Sequence, residues 1–592
     1  MGGNLYFAST GAVLDIPTAP IDDDLIAAWR ARVMRAGAHL GWANAQAVVR
    51  RHATGASLAI TAPYDQLFLA TEINEWALCA ALIARDPNRS SELETALIAA
   101  ASQVAGNSAP PAAAIPPVIE ESAALARFER LSALEAQPKL RALLDAAALR
   151  ELPHFLDETV LTLGAGVGGR NFSLSALPDV AAINWKELRD IPTALVTGSN
   201  GKTTTVRLLA ACARNHGWHA GYNCTDGVFL DAEVLATGDY SGPAGARMVM
   251  RERRTEAAIL ETARGGILRR GIAVARANTA VITNVSSDHF GEYGIHDLAG
   301  LADVKFAVAA ALNPGGLLVL NADDAQLRTR VDGLLRRFGR SPPLGWFSAN
   351  PDNDLLRKYR LRGASTCGVS LGRLQATHGG AEHDLGLISA MPLSMGGIAT
   401  YNIANLAGAA LAAMALGIAP PTIAAVFARF GSDLKDNPGR MMRFEVDGVR
   451  VLLDYAHNPD GLRGFLKVAN HLRGSGRLGI LLGQAGNRKD EDVEELAQVA
   501  AEFQPDLVVL KEDEAHLRGR APGEVPLIIR AELKRLGFPD SALPIGNSEV
   551  EGARYALDWA RPGDVLALPM HSPSARAAVV AMLQSASAAP QK

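Results

Sequence analysis

One glycine-rich turn, set between an apolar strand and a helix, constrains this chain more than any other feature. It follows the apolar TALV and precedes TTVRLLAACA, and it consists of Gly198, Ser199, Asn200, Gly201, Lys202 and Thr203. Glycines let successive N–H groups point inward, and the helix start adds partial positive charge. Lys202 is placed to reach the β and γ phosphates of ATP and Thr203 to ligate Mg²⁺, so the turn predicts a phosphate site.

The match is to a shortened version of the usual phosphate-binding pattern. The full G-x-x-x-x-G-K-[ST] motif requires glycine where Val196 stands, and the chain keeps only G-x-x-G-K-T. A polar turn ahead of a helix would need neither the lysine nor the threonine, so we keep the prediction.

Strand, turn and helix alternate from Thr193 to the C-terminus. Apolar strand-like segments are AAILE, TAVITN and GGLLVLN, and later VRVLLDYAH, LGILLGQAG, DLVVLKED and DVLALPM. This alternation predicts mostly parallel sheets covered by helices. The 592 residues exceed what one hydrophobic core organises. We therefore expect an α/β chain, with a P-loop ATP-binding domain over residues 188–437 and a C-terminal Rossmann-like domain over residues 438–592.

Residues 1–187 have a different character. Apolar residues recur at helical spacing over 22–103 and again over 121–149, on either side of a Pro/Ala-rich stretch at 106–117. We expect a largely helical or α+β N-terminal domain. Three roles stay open for this domain: binding of the acceptor substrate of a reaction, formation of a homo-oligomer, and a scaffold role.

Composition and charge exclude several classes of protein. Lys plus Arg (58) nearly balance Asp plus Glu (62), which gives no sign of a nucleic-acid partner. Four scattered cysteines suggest neither a disulfide framework nor a zinc site. No run of 18 apolar residues and no leader pattern is present in the sequence. We expect a cytoplasmic protein that does not bind membranes.

Two other patterns have simpler explanations than catalysis. The stretch 164–169, GAGVGG, fits G-x-G-x-x-G, but NFSLSALPD follows it, and Pro178 argues against the helix that dinucleotide binding needs. Glu72 and Glu75 resemble paired carboxylates. We expect them on the polar side of a helix that buries Ile73 and Trp76.

Several segments in a fixed order resemble one family. TGSNGKTTT is similar to the ATP-binding signature of the Mur ligases, the folylpolyglutamate synthetases and cyanophycin synthetase. The segments that continue the resemblance are LETARGGILRRG with Glu261, TNVSSDH with His289, LADVKFAV with Lys305, NADD with Asn321, GGIATYNIANLAGA with Asn402 and Asn405, NPGRMMRFE with Arg440, and LLDYAHNPDG with Asp454. Together they span residues 190 to about 580.

The resemblance implies roles for these positions. It implies ATP contacts from Gly198, Ser199, Asn200, Gly201, Lys202, Thr203, Thr204, Asn321, Arg440 and Asp454. It implies metal contacts from Thr203, Glu261 and His289, and catalytic roles for Lys202, Glu261, His289 and Lys305, the last as a carbamylated lysine. The residues agree in part, since Glu261 and His289 each follow a predicted strand and so lie at the carboxyl edge of a sheet, where ligands bind.

Three segments are most similar to the Mur-like half of cyanophycin synthetase: ETARGGILRRG, GQAGNRKDEDVEEL and KEDEAHLRGRAPGE. Cyanophycin synthetase also carries an ATP-grasp domain ahead of its Mur-like half, and the segment before Thr193 is too short to contain one. We therefore expect the aspartate-extending activity to be missing. The acids and arginines of KEDEAHLRGR suit an amino acid with a charged side chain. A solvated, salt-bridged loop is the alternative. The candidate substrate contacts are His457, Asn458, Lys511, Glu512, Asp513, Arg518 and Arg520.

The predicted activity is ATP-dependent ligation of a carboxylate to an amine. A carboxylate is a poor electrophile, and phosphorylation supplies it with a leaving group. The resemblance favours addition of arginine or another amino acid to an aspartate-containing acceptor, both of them small molecules. Two alternatives stay open: a nucleotide-binding regulatory or scaffold protein without ligase activity, and a folylpolyglutamate-type glutamate ligase.

Overall fold

The computed structural model describes residues 3–7, 9–17, 21–104, 116–287, 290–351, 353–486, 488–512 and 517–587. The N-terminal region is α+β. Its elements are β1 (Gly11–Ile16), α1 (Asp23–His39), β2 (Ala47–His52), β3 (Gly55–Thr61), α2 (Leu67–Arg85), α3 (Ser90–Val104), α4 (Glu121–Glu135), α5 (Pro138–Ala148), β4 (His154–Leu156), β5 (Val160–Leu163) and β6 (Arg170–Ser173). They form antiparallel sheets of order β1-β3-β2 and β4-β5-β6.

A buried polar network joins α1, α2 and β3. The Trp29 indole donates to Asn74 Oδ1 at 2.8 Å, and the Asn74 amide donates to the Leu58 carbonyl at 2.9 Å. These bonds satisfy polar groups that would otherwise be costly to bury. Among the described residues α2 is the one helix long and apolar enough to cross a membrane. Here it packs Ile73 and Trp76 into this core, as we predicted from the spacing of Glu72 and Glu75.

The central region is built on a large, mostly parallel sheet. Its elements are β7 (Thr193–Thr197), α6 (Lys202–His216), β8 (Ala220–Cys224), β9 (Gly227–Leu230), β10 (Glu233–Thr237), α7 (Pro243–Arg251), β11 (Ala257–Glu261), α8 (Arg264–Arg270), β12 (Ala277–Ile282), α9 (Leu298–Phe306), β13 (Leu312–Asn321), α10 (Ala325–Arg330), α11 (Leu334–Phe338), β14 (Leu344–Phe347), α12 (Asp354–Leu361), β15 (Ser365–Ser370), β16 (Arg373–His378), β17 (Ala381–Leu387), α13 (Thr400–Ala415) and α14 (Pro420–Phe427). The sheet order is β10-β9-β8-β11-β7-β12-β13-β14-β15-β16-β17.

The strands from β8 to β15 in this order run parallel, and antiparallel strands border them on both sides. Their residues are apolar almost throughout because helices cover both faces of such a sheet. On one face α6 and α13 pack together over the sheet. The strands β11, β7, β12 and β13 are neighbours, so their carboxyl ends meet at one edge.

The C-terminal region forms a second α/β layer structure. Its elements are β18 (Met442–Val446), β19 (Val449–Asp454), α15 (Pro459–Arg473), β20 (Leu478–Leu482), α16 (Asp490–Ala501), β21 (Leu507–Lys511), α17 (Glu524–Arg535), β22 (Ile545–Gly546), α18 (Glu549–Trp559), β23 (Val565–Pro569) and α19 (Pro573–Ser587). The sheet order is β18-β19-β23-β20-β21-β22, with β18 antiparallel to β19 and the others parallel. The predicted α/β class is confirmed.

The glycines of 164–169 serve close packing. Gly166 has a φ of +51°, and a Cβ there would lie 2.1 Å from the Thr255 carbonyl. The strand β6 follows the turn at Arg170, where dinucleotide binding would need a helix. These glycines therefore let the N-terminal region approach the central region closely.

Candidate functional site

A cavity of about 900 Å³ opens where the carboxyl edges of the two α/β sheets face each other. The central region supplies the cradle after β7, Glu261 at the end of β11 and Asn284 after β12. The C-terminal region supplies Arg440 and Asp454. Residues that are distant in sequence are thus brought together because parallel strands end at a shared edge.

The backbone of the cradle is shaped by two glycines. Gly198 has a φ of +146°, and a Cβ there would lie 1.8 Å from Thr283 Oγ1. Gly201 has a φ of +82°, caps α6, and would bring a Cβ to 2.2 Å from Asn405 Oδ1. Both positions exclude any side chain, so the N–H groups at the start of α6 stay open to a phosphate.

Asn200 ties the cradle to both of its walls. Its N–H donates to Asn284 Oδ1 at 2.8 Å, and its side-chain amide donates to Ser286 Oγ at 3.2 Å. From the C-terminal region, Asn458 Nδ2 donates to Asn200 Oδ1 at 2.9 Å. Asn458 also caps α15 through Gly461 N. The Asn458 side chain, a predicted substrate contact, therefore bridges the two regions in this structure.

Hydroxyl and carboxylate groups lie together beside the cradle. Thr203 Oγ1 donates to Glu261 Oε2 at 2.9 Å, and Thr225 Oγ1 lies 3.3 Å from both Thr203 Oγ1 and Glu261 Oε1. Lys202 Nζ donates to the Ser199 carbonyl at 2.9 Å. Arg440 approaches from the C-terminal region, with Nη2 3.5 Å from Thr203 Oγ1.

Glu261 is held as a buried acid at this point. It is 1% exposed, and burial raises the pKa of its carboxyl, against the opposing effects of Lys202, Thr203 and Arg440. A cation bound beside this carboxyl would favour its ionised form further.

These residues fit a magnesium ion. Mg²⁺ takes oxygen ligands and usually binds through one or two carboxylates together with substrate phosphates and water. Thr203, Thr225 and Glu261 present a carboxylate and two hydroxyls next to the cradle. Among the described residues no group of three or more His, Cys, Asp or Glu side chains forms a self-sufficient metal cage. His289, which we predicted as a metal ligand, lies outside the described residues.

Three further predicted residues line the cavity from the central region. Lys305, in the last turn of α9, is 2% exposed and borders the cavity. Asn321 donates to the Thr283 carbonyl at 2.9 Å, and its Oδ1 accepts from Asp323 N. Asn321 thus shapes the cavity wall through its own hydrogen bonds. Thr204 also borders the cavity and accepts a hydrogen bond from Asn437 at 3.2 Å.

An aromatic and basic group forms the C-terminal wall. The Arg440 guanidinium lies 4.2 Å from the Tyr455 ring centre, and Tyr455 contacts the rings of His457 and His571. Asp454 Oδ2 accepts from Met441 N at 2.7 Å, and burial raises its pKa against the effect of Arg440. Burial lowers the pKa of His571 below its ordinary value, which favours the neutral imidazole. His457, a predicted substrate contact, borders the cavity.

The described residues of the segment that starts at Lys511 fall into two groups, those that lie away from the cavity and one that borders it. Lys511 is 0% exposed and donates to Glu549 and to the Pro569 carbonyl. Glu512 is buried and accepts from Gly523 N at 2.5 Å. Arg520 pairs with Asp490 and Glu524 at 2.6 Å. In the described part of the chain the cavity lining includes none of these three predicted substrate contacts, so the structure places them away from the cavity.

Arg518 is the part of that segment that borders the cavity. Its side chain is exposed, and its backbone has a φ of +47°. Asp513, the remaining predicted contact there, lies outside the described residues. Sequence alone could not separate Arg518 from Arg520, because the partners of Arg520 come from α16 and α17.

Several cavity residues were not singled out by sequence. Asp239 borders the cavity, as do Arg488 and a set of arginines on α8: Arg264, Arg269 and Arg270. The signal for the α8 arginines was present, because this helix begins three residues after Glu261 in the segment ETARGGILRRG. A helix that starts just after the carboxyl end of a parallel strand lies beside the site at that edge of the sheet.

The class of protein follows from this arrangement and from two family models. Residues 196–413 match the Mur ligase middle domain, and residues 439–568 match the domain described as Mur ligase, glutamate ligase domain. The chain is 32% identical to the UDP-N-acetylmuramoyl-L-alanyl-D-glutamate–2,6-diaminopimelate ligase of Alkalilimnicola ehrlichii, over 63% of this chain and 69% of that protein. The chain belongs to the Mur ligase family.

Within the family the chain is also similar to cyanophycin synthetases. It is 35% identical to the one from Trichormus variabilis over 64% of this chain, and it spans 41% of that protein's length. Among solved structures, folylpolyglutamate synthase of Mycobacterium tuberculosis with ADP has 17% identity and a TM-score of 0.48, covering 68% of this chain and 91% of that one. The family models and the similarity to the diaminopimelate ligase and the cyanophycin synthetases point to an ATP-dependent amide ligase.

Proposed function

We propose that the chain joins a carboxylate to an amine at the cost of one ATP, through an acyl phosphate. The observation that carries the proposal is the contact of Thr203 Oγ1 with Glu261 at 2.9 Å beside a glycine-shaped phosphate cradle. A cradle alone supports nucleotide binding. A buried carboxylate next to it supports metal-assisted phosphoryl transfer.

When bound, magnesium ATP supplies the phosphoryl group and the counter-charge for two anions that must meet. The N–H groups at the start of α6 and the Lys202 ammonium hold the phosphates and stabilise the charge of the transferring group. Thr203 and Glu261 would hold the cation. Arg440 reaches the same point from the C-terminal region, so closure of the two regions completes the site.

The chemical steps balance without another reactant. A carboxylate oxygen of the acceptor forms a bond to the γ-phosphorus, and the bond to ADP breaks. The amine nitrogen then bonds to the acyl carbon, inorganic phosphate leaves, and the amine loses a proton. Polar walls suit an amine and a carboxylate together, because two acids, Asp239 and Asp460, and two arginines, Arg488 and Arg518, border the cavity.

We further propose that the amine is an amino acid with a basic side chain, arginine first, and that the acceptor contains aspartate. Similarity to cyanophycin synthetases supports this choice, as do the cavity acids, which can pair with a guanidinium. The same proposal includes carbamylation of Lys305, a metal contact from His289, a cytoplasmic location, and functional units over residues 1–187, 188–437 and 438–592.

The test is phosphate release from magnesium ATP with a panel of amino acids, aspartyl peptides and a folate, followed by mass spectrometry of the products. We expect release only when acceptor and amine are both present, with a product heavier by one amino acid residue. Release that depends on glutamate and a folate would establish the folylpolyglutamate-type alternative. ATP binding without any release across the panel would establish the regulatory or scaffold alternative.

A further inference from the structure

The N-terminal region reaches the edge of the central sheet that borders the cavity through one hairpin. The strands β2 and β3 form this hairpin, and its tip carries Arg50, His52 and Thr54. The tip contacts the loop 290–297, which follows the cradle wall at Asn284 and Ser286. The family models match the chain from residue 196 onward, so this contact joins a region outside them to the site.

Arg50 holds two consecutive carbonyls of that loop. Its Nη2 donates to the Gly294 carbonyl at 2.6 Å, and its Nη1 lies 3.2 Å from the Tyr293 carbonyl. Both carbonyls belong to residues in the left-handed region, with φ of +53° at Tyr293 and +64° at Gly294. Tyrosine adopts this conformation only when its surroundings hold it there. The planar guanidinium, with its parallel N–H groups, provides that hold.

Two neighbouring contacts lock the hairpin against the loop. Thr54 Oγ1 lies 3.3 Å from His296 Nε2. A Cβ on Gly294 would lie 2.5 Å from the His52 ring, so only glycine lets the loop approach this closely. The loop is therefore shaped by the N-terminal region as well as by its own sequence.

From the loop the contact continues to the cavity. Glu292 precedes the two left-handed residues, and its Oε2 accepts from Arg264 Nη2 at 2.5 Å. Both Glu292 and Arg264 border the cavity, and the Arg264 side chain is largely buried. A guanidinium held in this way, with Arg269 and Arg270 on the same helix, forms a cationic wall suited to a carboxylate.

We propose that Arg50 is a positioning residue: by fixing the loop 290–297 it sets Glu292 and Arg264 in the wall that binds the carboxylate-bearing acceptor. The inference rests on the proposed ligase activity for its kinetic part. It assigns the N-terminal region a place in acceptor binding, one of the roles that the sequence left open.

The test compares Arg50→Ala with Arg51→Ala in the full chain. Arg51 is the next residue of the same hairpin and pairs with Asp23 inside the N-terminal region, so its removal leaves the loop untouched. We expect Arg50→Ala to raise the KM for the acceptor by about tenfold, the effect of losing a charged hydrogen-bonding contact. The Kd for a non-hydrolysable ATP analogue with Mg²⁺ should stay unchanged, and Arg50→Lys should recover part of the loss.

A second measurement does not depend on activity. Amide hydrogen exchange over residues 290–297 should speed up in Arg50→Ala and stay as in the wild type in Arg51→Ala. Unchanged exchange in Arg50→Ala would overturn the positioning role, whatever the enzyme does. Faster exchange in a chain whose wild type releases no phosphate would keep the structural part and reject the proposed ligase. Equal acceptor KM in active Arg50→Ala and Arg51→Ala would overturn the kinetic part.

Discussion

Two lysines occupy similar places in the two α/β sheets and are held in opposite ways. Lys202 begins α6 just after β7, borders the cavity, and its ammonium donates to the Ser199 carbonyl at 2.9 Å. Lys511 ends β21, is 0% exposed, and its ammonium is enclosed by Glu549 and the Pro569 carbonyl. Each lies at the carboxyl edge of a parallel sheet, yet only Lys202 has room for a ligand.

The difference lies in the partner of the charge. Burial acts to raise the pKa of Glu549, but the Lys511 ammonium beside it holds that pKa below its ordinary value. The Glu549 carboxylate also accepts from His571 N at 2.8 Å and Ser572 N at 3.0 Å. This pair fixes the turn that presents His571 to the cavity. A charge compensated inside the protein organises structure, whereas a charge that faces a cavity is available to a substrate.

The largest effect should come from breaking the interior pair. Lys511→Met leaves the Glu549 carboxylate buried without its cation, and loss of one partner of a buried pair costs about 3–5 kcal/mol. We expect the free energy of unfolding to fall by that amount in urea or thermal denaturation. Lys534→Met is the matched control, because Lys534 pairs with Asp540 at the surface and such pairs contribute at most about 1 kcal/mol.

Equal free energies of unfolding for these two variants would show that the Glu549 carboxylate does not depend on the Lys511 ammonium for its charge compensation. The double variant Lys511→Met, Glu549→Gln should recover part of the loss, because it removes the uncompensated charge.

The next effect should appear in rate and not in stability. Lys202→Ala removes the ammonium that faces the transferring phosphoryl group, and loss of one such donor costs about 10²–10³ in kcat. The measurement is phosphate release at saturating ATP, with denaturation midpoints for both proteins. Lys186→Ala, a change outside the cavity, should keep the wild-type rate. Wild-type turnover in folded Lys202→Ala would remove this lysine from the chemistry.

How far the sequence predicts these two regions depends on how local the signal is. The cradle is contained in consecutive residues, so strand, turn, Lys202 and Thr203 could be read together, and the α/β class followed from strands that alternate with helices. The partner of Lys511 is Glu549, which no pattern in the segment KEDEAHLRGR announces. Arg518 and Arg520 look alike in sequence, and only the folded chain brings Asp490 to Arg520.

The N-terminal region shows the same limit at the level of secondary structure. Helical spacing predicted α1 and α2 correctly, but the strands β2 and β3 were missed within the same stretch. The turn between them, Ala53 to Gly55, and the alternation in SLAIT were the available signals. What no local pattern could show is that this hairpin contacts the loop 290–297.

A third effect concerns the buried acid, and its sign depends on pH. Burial raises the pKa of Glu261, so the folded protein binds this proton more tightly than the unfolded chain does. The resulting stabilisation of the fold is fully present below the unfolded pKa near 4.5, and it is lost as the pH rises through the folded pKa. Glu261→Gln removes the ionisable group. We expect kcat to fall by about 10², while the metal-free protein gains about 1 kcal/mol at neutral pH.

That gain should shrink as the pH falls towards 4.5, since the wild-type carboxyl then takes up its proton. Mg²⁺ with an ATP analogue should stabilise the wild type more than Glu261→Gln in thermal denaturation. Equal stabilisation of both by Mg²⁺ would exclude Glu261 as a metal contact. Thr262→Val, a buried change next to the same strand end, controls for altered packing.

The smallest effect should separate the two arginines that look alike in sequence. Arg518 is exposed at the cavity, so Arg518→Ala should raise the KM for the amine or the acceptor by about fivefold, the loss of a solvent-screened charged contact, with unchanged stability. The Arg520 guanidinium donates hydrogen bonds to Asp490, Glu524 and the Gly486 and Arg488 carbonyls. Arg520→Ala should therefore lower the free energy of unfolding by about 1 kcal/mol and leave both KM values near the wild type. Initial-rate kinetics and urea denaturation of the two single variants decide the matter. If Arg520→Ala changes KM as much as Arg518→Ala, the ion pairs of Arg520 open during turnover, and interior compensation does not distinguish structural from substrate-facing charges in this segment.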